Sequence, residues 1–486
     1  MPPPPRREGD RDATITCNCS KCRRLARDGS DGGDGEEVRP WASLAEDLVE
    51  LIGWRVLAGD LLDYVRFRAV CSHWTKSTLR PRGRGIVDPR FHPRRWMMLP
   101  EGHGLYPGHP NLGGYVRFFS LSTGRFVRIH LPLFDDHIVL DSVDGLLLLL
   151  LHRDHGTTIR LLHPFTGDIA EFPPLSSLLQ QMERYRYMSE DCKLRELRLY
   201  LWGLCAAVTV GVAGTITLMI AFGTRHRAAH ATAGDQRWTL SASKIPISLV
   251  PPISFQGKVF GVSSKWSRDE PIVSIWQIDP PTPIVEGSHL LSLQPVQIIA
   301  DCPVVSSMTR VNLVECSSEL MLVGFPDTSY TELVVYSLAD LIRGRVIPIT
   351  DIGEHALFLG DRSLCVSSNK GFPSVPGNSI TCNYRIPHDR QVGICCQRLI
   401  EHYHLGSGAW SLAIPKDNPP ASPYTLVHHI FTCCFHSHWN KALMFNRAIR
   451  PDWSVKPNMW IGTAKVVVTY DLFLRKTRIS IGQQKL

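Results

Sequence analysis

The sequence predicts a multidomain chain: a small all-α module of three short helices followed by a large all-β propeller. Three observations carry this expectation. Between Trp41 and Leu79, apolar residues recur at three- and four-residue spacing. Past residue 99 the pattern becomes short apolar runs broken by Gly- and Pro-containing turns. One strand-turn-strand unit then returns again and again. Helices repeat every 3.6 residues and strands every 2, so the change of period marks a boundary. The expected layout is a disordered tail at 1–40, the helical module at 41–80, a basic junction at 81–98, the propeller at 99–450 and a C-terminal segment without assigned structure at 451–486.

The tail is rich in Pro, Arg, Asp and Gly and has almost nothing large and apolar to bury, which predicts disorder. Its opening, MPPPPRREGDRD, lacks the apolar run of a secretory signal. Cys17, Cys19 and Cys22 in CNCSKC stand close enough to share a metal, but a tetrahedral zinc site wants a fourth ligand and none is near. Counting Asp28 as the first position of a calcium loop puts Arg39 where the bidentate glutamate belongs, which excludes that reading. The 14 cysteines are scattered along the chain rather than arranged as a compact disulfide framework, so reduced thiols in the nucleus or cytoplasm are expected.

In the helical module, Ser43 and Glu46 have the spacing of a capping box, predicting a helix from Leu44 with Leu44, Leu48, Leu51 and Ile52 on its apolar side. Gly53 and Gly59 flank its expected exit. Asp60 is placed to cap a second helix through LLDYV, with Leu61, Leu62 and Val65 on one side. A third segment, FRAVCSHWTKSTL, aligns Phe67, Val70, Cys71 and Trp74 before Pro81 stops it. Forty residues bury little surface, yet the apolar positions outnumber what one such core needs. The surplus has two possible destinations, a partner protein or the following domain.

Trp41 to Leu79 resembles an F-box, the helical module by which substrate receptors of SCF-type ubiquitin ligases hold a Skp-type adaptor. The resemblance rests on Leu44, Asp47-Leu48, Asp60-Leu61-Leu62 and Val70-Cys71-Ser72-His73-Trp74. Ala45 departs from the proline usual at that place, which would pre-set the first helical turn. The resemblance implies a substrate receptor joined through the adaptor to a cullin scaffold. Leu44, Leu48, Ile52, Leu62, Val65, Val70, Cys71 and Trp74 are then the adaptor-facing or supporting positions, with Trp74 offered as a partner anchor.

The junction holds five arginines against one aspartate, too small a basic patch to imply nucleic acid. Beyond it, Leu146–Leu151 reads as a buried strand bounded by Gly145 and HRDHG; a second strand through TTIRLLH and a third ending at Pro173 complete a meander. Tyr200 to Thr224 has 25 residues without a formal charge, enough to span a bilayer. Its four glycines and the VAGT break predict a buried hairpin and no membrane contact. The units at Phe119–Pro132, Leu162–Pro173 and Tyr403–Pro415 each place Thr-Gly or Ser-Gly in the turn, because glycine takes positive φ cheaply. Weaker copies lie around Phe255–Val262, Ser274–Pro280, Ser317–Gly324 and Leu333–Asp340. At roughly 40–50 residues per blade this repetition predicts about seven or eight blades.

HPRRWMMLP (His92–Pro100), SVDGLLLLL (Ser142–Leu150), AHATAGDQRWTL (Ala229–Leu240), ISFQGKVFGV (Ile253–Val262) and HALFLGDRSLCVSS (His355–Ser368) resemble the plant KIB-type β-propeller domain that commonly follows an F-box. In such a receptor the propeller would hold the target protein.

No Gly-x-Ser-x-Gly elbow, His-Glu-x-x-His helix, phosphate-binding loop or dinucleotide fingerprint occurs. The expectation is a non-catalytic subunit with no cofactor and no metal. Cys433 and Cys434 beside His428, His429, His436 and His438 come nearest to a metal set, but in a strand adjacent residues face opposite ways. Two rivals stand beside the receptor reading: an adaptor-free propeller scaffold with a degenerate F-box, and a propeller enzyme whose polar residues meet at the central channel.

Overall fold

The computed structural model describes residues 41–99, 115–151, 157–179, 181, 189, 201, 203–211, 213–222, 226–248, 250–267, 270–283, 291–303, 310–327, 329–368, 372, 374–382, 400–413, 426–434, 466–470 and 477–481. The expected disordered tail with Cys17, Cys19 and Cys22, the HRDHG turn, and His436 and His438 lie outside these residues.

Three helices stand close to where the spacing puts them: α1 (Glu46–Gly59), α2 (Leu61–Arg68) and α3 (Ser72–Lys76). Ser43 is drawn into a 3-10 turn, Trp41–Ser43, so α1 begins at Glu46 rather than at Leu44, with Ala45 at its N-cap. Gly53 lies inside α1 rather than at its exit. A Cβ there would stand 3.1 Å from Thr78 and 3.4 Å from Phe67 and Tyr64, so the bare backbone is what lets the three helices close up. The cap on α2 forms as expected, with the Asp60 carboxylate accepting from the Leu62 and Asp63 amides at 2.8 and 3.2 Å. The third segment divides: α2 runs on to Arg68, and α3 starts afresh with the Cys71 sulfur accepting from the Trp74 amide at 3.5 Å.

Six sheets of three to five strands follow in chain order. Blade 1 is β1 (Trp96–Met98), β2 (Tyr115–Ser120) and β3 (Phe126–His130). Blade 2 is β4 (His137–Val143), β5 (Leu146–Leu151), β6 (Ile159–Leu162) and β7 (Ile169–Phe172), after which comes the short helix α4 (Ser176–Leu179). Blade 3 is β8 (Leu204–Val210), β9 (Ile216–Phe222), β10 (Arg227–Thr232) and β11 (Thr239–Leu240). Blade 4 is β12 (Ile253–Phe255), β13 (Lys258–Ser267), β14 (Glu270–Ile278) and β17 (Gln297–Cys302), interrupted by the pair β15 (Thr282–Pro283) and β16 (Leu291–Ser292). Blade 5 is β18 (Val311–Cys316), β19 (Glu319–Gly324) and β20 (Val334–Ser337), followed by α5 (Leu338–Ile342). Blade 6 is β21 (His355–Phe358), β22 (Leu364–Ser367), β23 (Ser379–Cys382), β24 (Glu401–His404) and β25 (Ala409–Leu412), with β21 and β23 parallel. The helix α6 (Leu426–Cys433) and a separate hairpin, β26 (Val466–Tyr470) with β27 (Thr477–Ile481), complete the described chain.

The blades close into a ring, because six apolar clusters each join one blade to the next: 1 to 2, 2 to 3, 3 to 4, 4 to 5, 5 to 6, and 6 back to 1. The last is sealed by Val427 and Ile430 of α6. The leucine run of β5 explains itself in this setting. Leu146, Leu148 and Leu150 enter the cluster with blade 3, while Leu147 and Leu149 enter the cluster with blade 1. A strand covered on both faces needs apolar residues at consecutive positions. The charge-free stretch near residue 200 follows the same rule: β8 and β9 are the expected hairpin, with Leu218 and Ile220 facing blade 2 and Met219 and Ala221 facing blade 4. No helix among the described residues is long and apolar enough to cross a membrane.

Six blades replace the expected seven or eight, because long connections, such as the one from Phe172 to Leu204, use chain length without adding a blade. The propeller also begins before residue 99, since Trp96–Met98 already form β1. Gly124, Gly167 and Gly408 take positive φ in the three recurring turns, as their role demands. Cys433 belongs to α6 and not to a strand; it and Cys434 are wholly buried among apolar neighbours, and burial drives both thiols upward in pKa.

Candidate interaction surface of the helical module

The module has a core of its own, but a small one. Val49, Leu57, Leu61, Tyr64 and Trp74 are buried. Trp74, expected as a partner anchor, is only 9% exposed. Its ring lies 4.3 Å from that of Phe67, and its indole N–H donates to the Trp41 carbonyl at 3.3 Å. The tryptophan therefore ties α3 to α2 and to the entering chain, which is why a module this small ends on so large a side chain. His73 Nε2 stands 2.8 Å from the Leu44 carbonyl and fixes the same approach.

The other side of the module rests on the propeller. Phe91, in the 3-10 turn Pro89–Phe91, is fully buried against Leu57, Leu61 and Tyr64, with Trp54 and Phe165 packed around them. The Arg90 guanidinium sits 4.1 Å above the Trp54 ring, a cation over an aromatic face. Its partner is Asp88, whose carboxyl that hydrogen bond holds below the usual range. Asp60 joins the two parts directly: besides capping α2, it accepts from the Trp96 indole N–H at 2.8 Å. The junction is strapped to blade 2 by Asp168, which accepts from the Gly83 and Gly85 amides at 2.8 Å each. Arg94 lies 3.5 Å from Asp144. The basic junction is thus a fitted connector rather than a free cationic patch.

What remains outward is apolar. Val70 is 61% exposed, Leu51 51%, Leu48 47% and Val65 45%, with Trp41 exposed beside them in the chain entering α1. Of the eight positions singled out from sequence, Leu48, Val65 and Val70 face outward; Leu44, Ile52 and Cys71 are half-buried; Leu62 turns toward the cluster between blades 1 and 2; and Trp74 is internal. Sequence reasoning left Leu51 and Trp41 off that set, although Leu51 follows Leu48 at the three-residue spacing that marks a shared face.

The KIB1-4 beta-propeller family model matches residues 118–397. The chain belongs to the KIB1-4 β-propeller family. No curated protein matches it. The family match falls on the blades and stops short of the helical module, so it says what kind of platform the module stands on.

The centre of this KIB-type propeller is tight and of mixed character. Asp141, Cys205, Ser254, Asn312, Arg362 and Ser363 line it together with Val250, Pro251, Pro252, Ile253 and Leu313, leaving a cavity of about 30 Å³, room for a water or two. Asp141 accepts from the Ser142 amide at 2.7 Å and the Ala206 amide of blade 3 at 2.9 Å, and Arg362 of blade 6 reaches it at 3.5 Å. Arg362 also donates to the Ser142 carbonyl, and its amide donates to the Cys434 carbonyl at 2.8 Å. In the turn after β4, burial pushes the Asp144 carboxyl up, but His92 and Arg94 outweigh it and hold the group below its usual value. Burial, with Asp144 near, pushes the Glu315 carboxyl up. Asp141 and Arg362 are thus bonded to each other and to backbone across three blades.

Proposed function

We propose that this chain is a substrate-recognition subunit of an SCF-type ubiquitin ligase. Its helical module acts as an F-box that docks on a Skp-type adaptor, and through it on a cullin scaffold, while the KIB-type propeller binds the target protein. One observation carries the reading: after the module has built its own core and seated itself on the propeller, Leu48, Leu51, Val65 and Val70 are still exposed. Several large apolar residues left in water on a unit of forty residues are the expected mark of a partner surface. The order of residues resembling an F-box supplies the partner's identity.

In this role the chain needs no catalytic group. Holding a target lysine near a charged carrier raises effective concentration, and the thiol chemistry belongs to other subunits. The Asp141–Arg362 pair then serves to hold the ring together. Such a complex works in the nucleus or cytoplasm.

The test is capture of a Skp-type adaptor by the full chain. Leu48→Asp with Val70→Asp places charge on exposed positions and is expected to reduce capture at least tenfold with thermal stability unchanged. Equal capture by this folded double variant would refute the docking surface. A second reading, an interaction scaffold with a degenerate F-box, is favoured by Ala45, which caps α1 without a side-chain bond. Failure of the wild-type chain to capture any Skp-type adaptor would select it.

A further inference from the structure

Blade 5 and blade 6 meet at a group of polarisable and polar side chains, two of which, Cys316 and Cys365, also border the apolar cluster of that seam. Cys316 ends β18, Cys365 lies in β22 and His355 opens β21. Their ligand atoms all lie within 4.8 Å of one another, and the two sulfurs are 3.3 Å apart. We infer that Cys316, Cys365 and His355 form a binding site for one soft divalent cation of the zinc class, clamping blade 5 to blade 6.

The geometry suits that ion. Zinc–sulfur bonds near 2.3 Å and zinc–nitrogen bonds near 2.0 Å put tetrahedral ligand atoms roughly 3.5–3.8 Å apart, so closing the site needs shifts on the order of 1 Å. The sulfurs are not joined in a disulfide, and both are free. The imidazole is already oriented: Ser317 Oγ stands 2.7 Å from His355 Nε2 and Ser367 Oγ stands 3.3 Å from Nδ1. Whichever nitrogen takes the metal, the other keeps a hydroxyl partner, the support that metal-bound histidines usually have. Cys365 and His355 are half-buried, which gives a path from solvent, and three protein ligands leave the fourth corner for water. Cys365 donates its S–H to Cys316, which lowers the Cys316 pKa and raises that of Cys365. Loading one cation forms two metal–sulfur bonds and one metal–nitrogen bond and sends the thiol protons to solvent.

The test uses the full chain, reduced and stripped of metal, with Co²⁺ as the probe. About one equivalent is expected to produce a thiolate-to-cobalt charge-transfer band that Zn²⁺ then erases. The band is expected to vanish in Cys316→Ser and in Cys365→Ser. His355→Ala is expected to weaken binding at least tenfold. Because the chain has 14 cysteines, the triple variant Cys17→Ser, Cys19→Ser and Cys22→Ser serves as control and is expected to bind as wild type. Should a cysteine variant fail to fold, Zn²⁺ protection of Cys365 from alkylation in the wild-type chain reads the same contact. Binding that survives loss of Cys316 or Cys365, absence of the band in a fully reduced chain, unprotected Cys365, or formation of a Cys316–Cys365 disulfide as the only response to metal and oxidant would each overturn the proposal.

Discussion

In the propeller most apolar residues on inner strands have a blade on either side of them; in the helical module an apolar residue on the outer side of a helix has water. Leu148 and Leu48 are both leucines on regular elements, one fully buried between blades 2 and 3 and the other exposed on α1. The difference follows from closure. Six clusters pass around a ring and return to their start, so each seam between blades is filled, and apolar residues left exposed on the blades, such as Phe126 and Ile298, lie outside those clusters. Three helices of 14, 8 and 5 residues cannot do this. They complete their core by borrowing Phe91 and Phe165 from the chain that follows. The module is therefore held in place by the propeller on one side and left unfinished on the other, an arrangement suited to a surface that another protein completes.

The sharpest way to break this comparison is to remove the borrowed ring. Phe91→Ala is expected to cost about 3–5 kcal/mol at the junction, since a fully buried phenylalanine leaves a cavity that its aromatic neighbours cannot fill. Residues 41–80 should then become sensitive to limited proteolysis while the blades stay resistant. Equal resistance of both parts would mean that the module stands without the propeller.

Acid acts on the closed ring itself. His402 in blade 6 is 5% exposed, with Thr381 Oγ1 at 2.8 Å from its Nδ1. Burial, helped by His404, lowers His402 from 6.5 to about 4. The unfolded chain thus takes up the proton first. The stabilisation is complete above pH 6.5 and is lost as pH falls toward 4, by up to about 3 kcal/mol at the end of that window. Denaturant midpoints measured across it should flatten in His402→Gln; an unchanged slope would assign the acid sensitivity to other groups.

Much of this architecture was legible because local signals agreed with tertiary demands. Gly145 marked the start of a six-leucine strand, and Asp60 announced the start of α2. The failures have particular causes. Ser43 and Glu46 marked a helix start at Leu44, but the chain first tightens into a 3-10 turn, so α1 begins two residues later. Residues around Cys433 mix β-branched and aromatic side chains, a strand-like composition, yet their place at the seam between blades 6 and 1 made them a helix. The blade count erred because connection length is invisible to a repeat of turns. Cys316 and Cys365 are 49 residues apart, and only ring closure makes them neighbours.

The smallest expected effect lies within the propeller, where three blades open on the same two-residue hairpin and only one breaks its rule. Blade 2 turns on Asp144-Gly145 at φ +51° and +83°, and blade 4 on Gln256-Gly257 at +50° and +76°. Both end on glycine, as a turn with two positive φ values prefers. Blade 5 turns on Ser317-Ser318 at +52° and +66°. A left-handed non-glycine residue costs about 1–2 kcal/mol. Glycine's extra freedom in the unfolded chain takes back about 0.5–1 of that. Ser318→Gly is therefore expected to stabilise the protein by about 0.5–1 kcal/mol, measured by thermal denaturation. Ser317 is different, because its hydroxyl faces His355 at 2.7 Å and its strain holds a functional group in place. Ser317→Gly should bring the same relief in stability but loosen the imidazole, so Co²⁺ affinity would fall in that variant and not in Ser318→Gly. Two substitutions with equal stability and equal cobalt binding would show that the turn is merely strained.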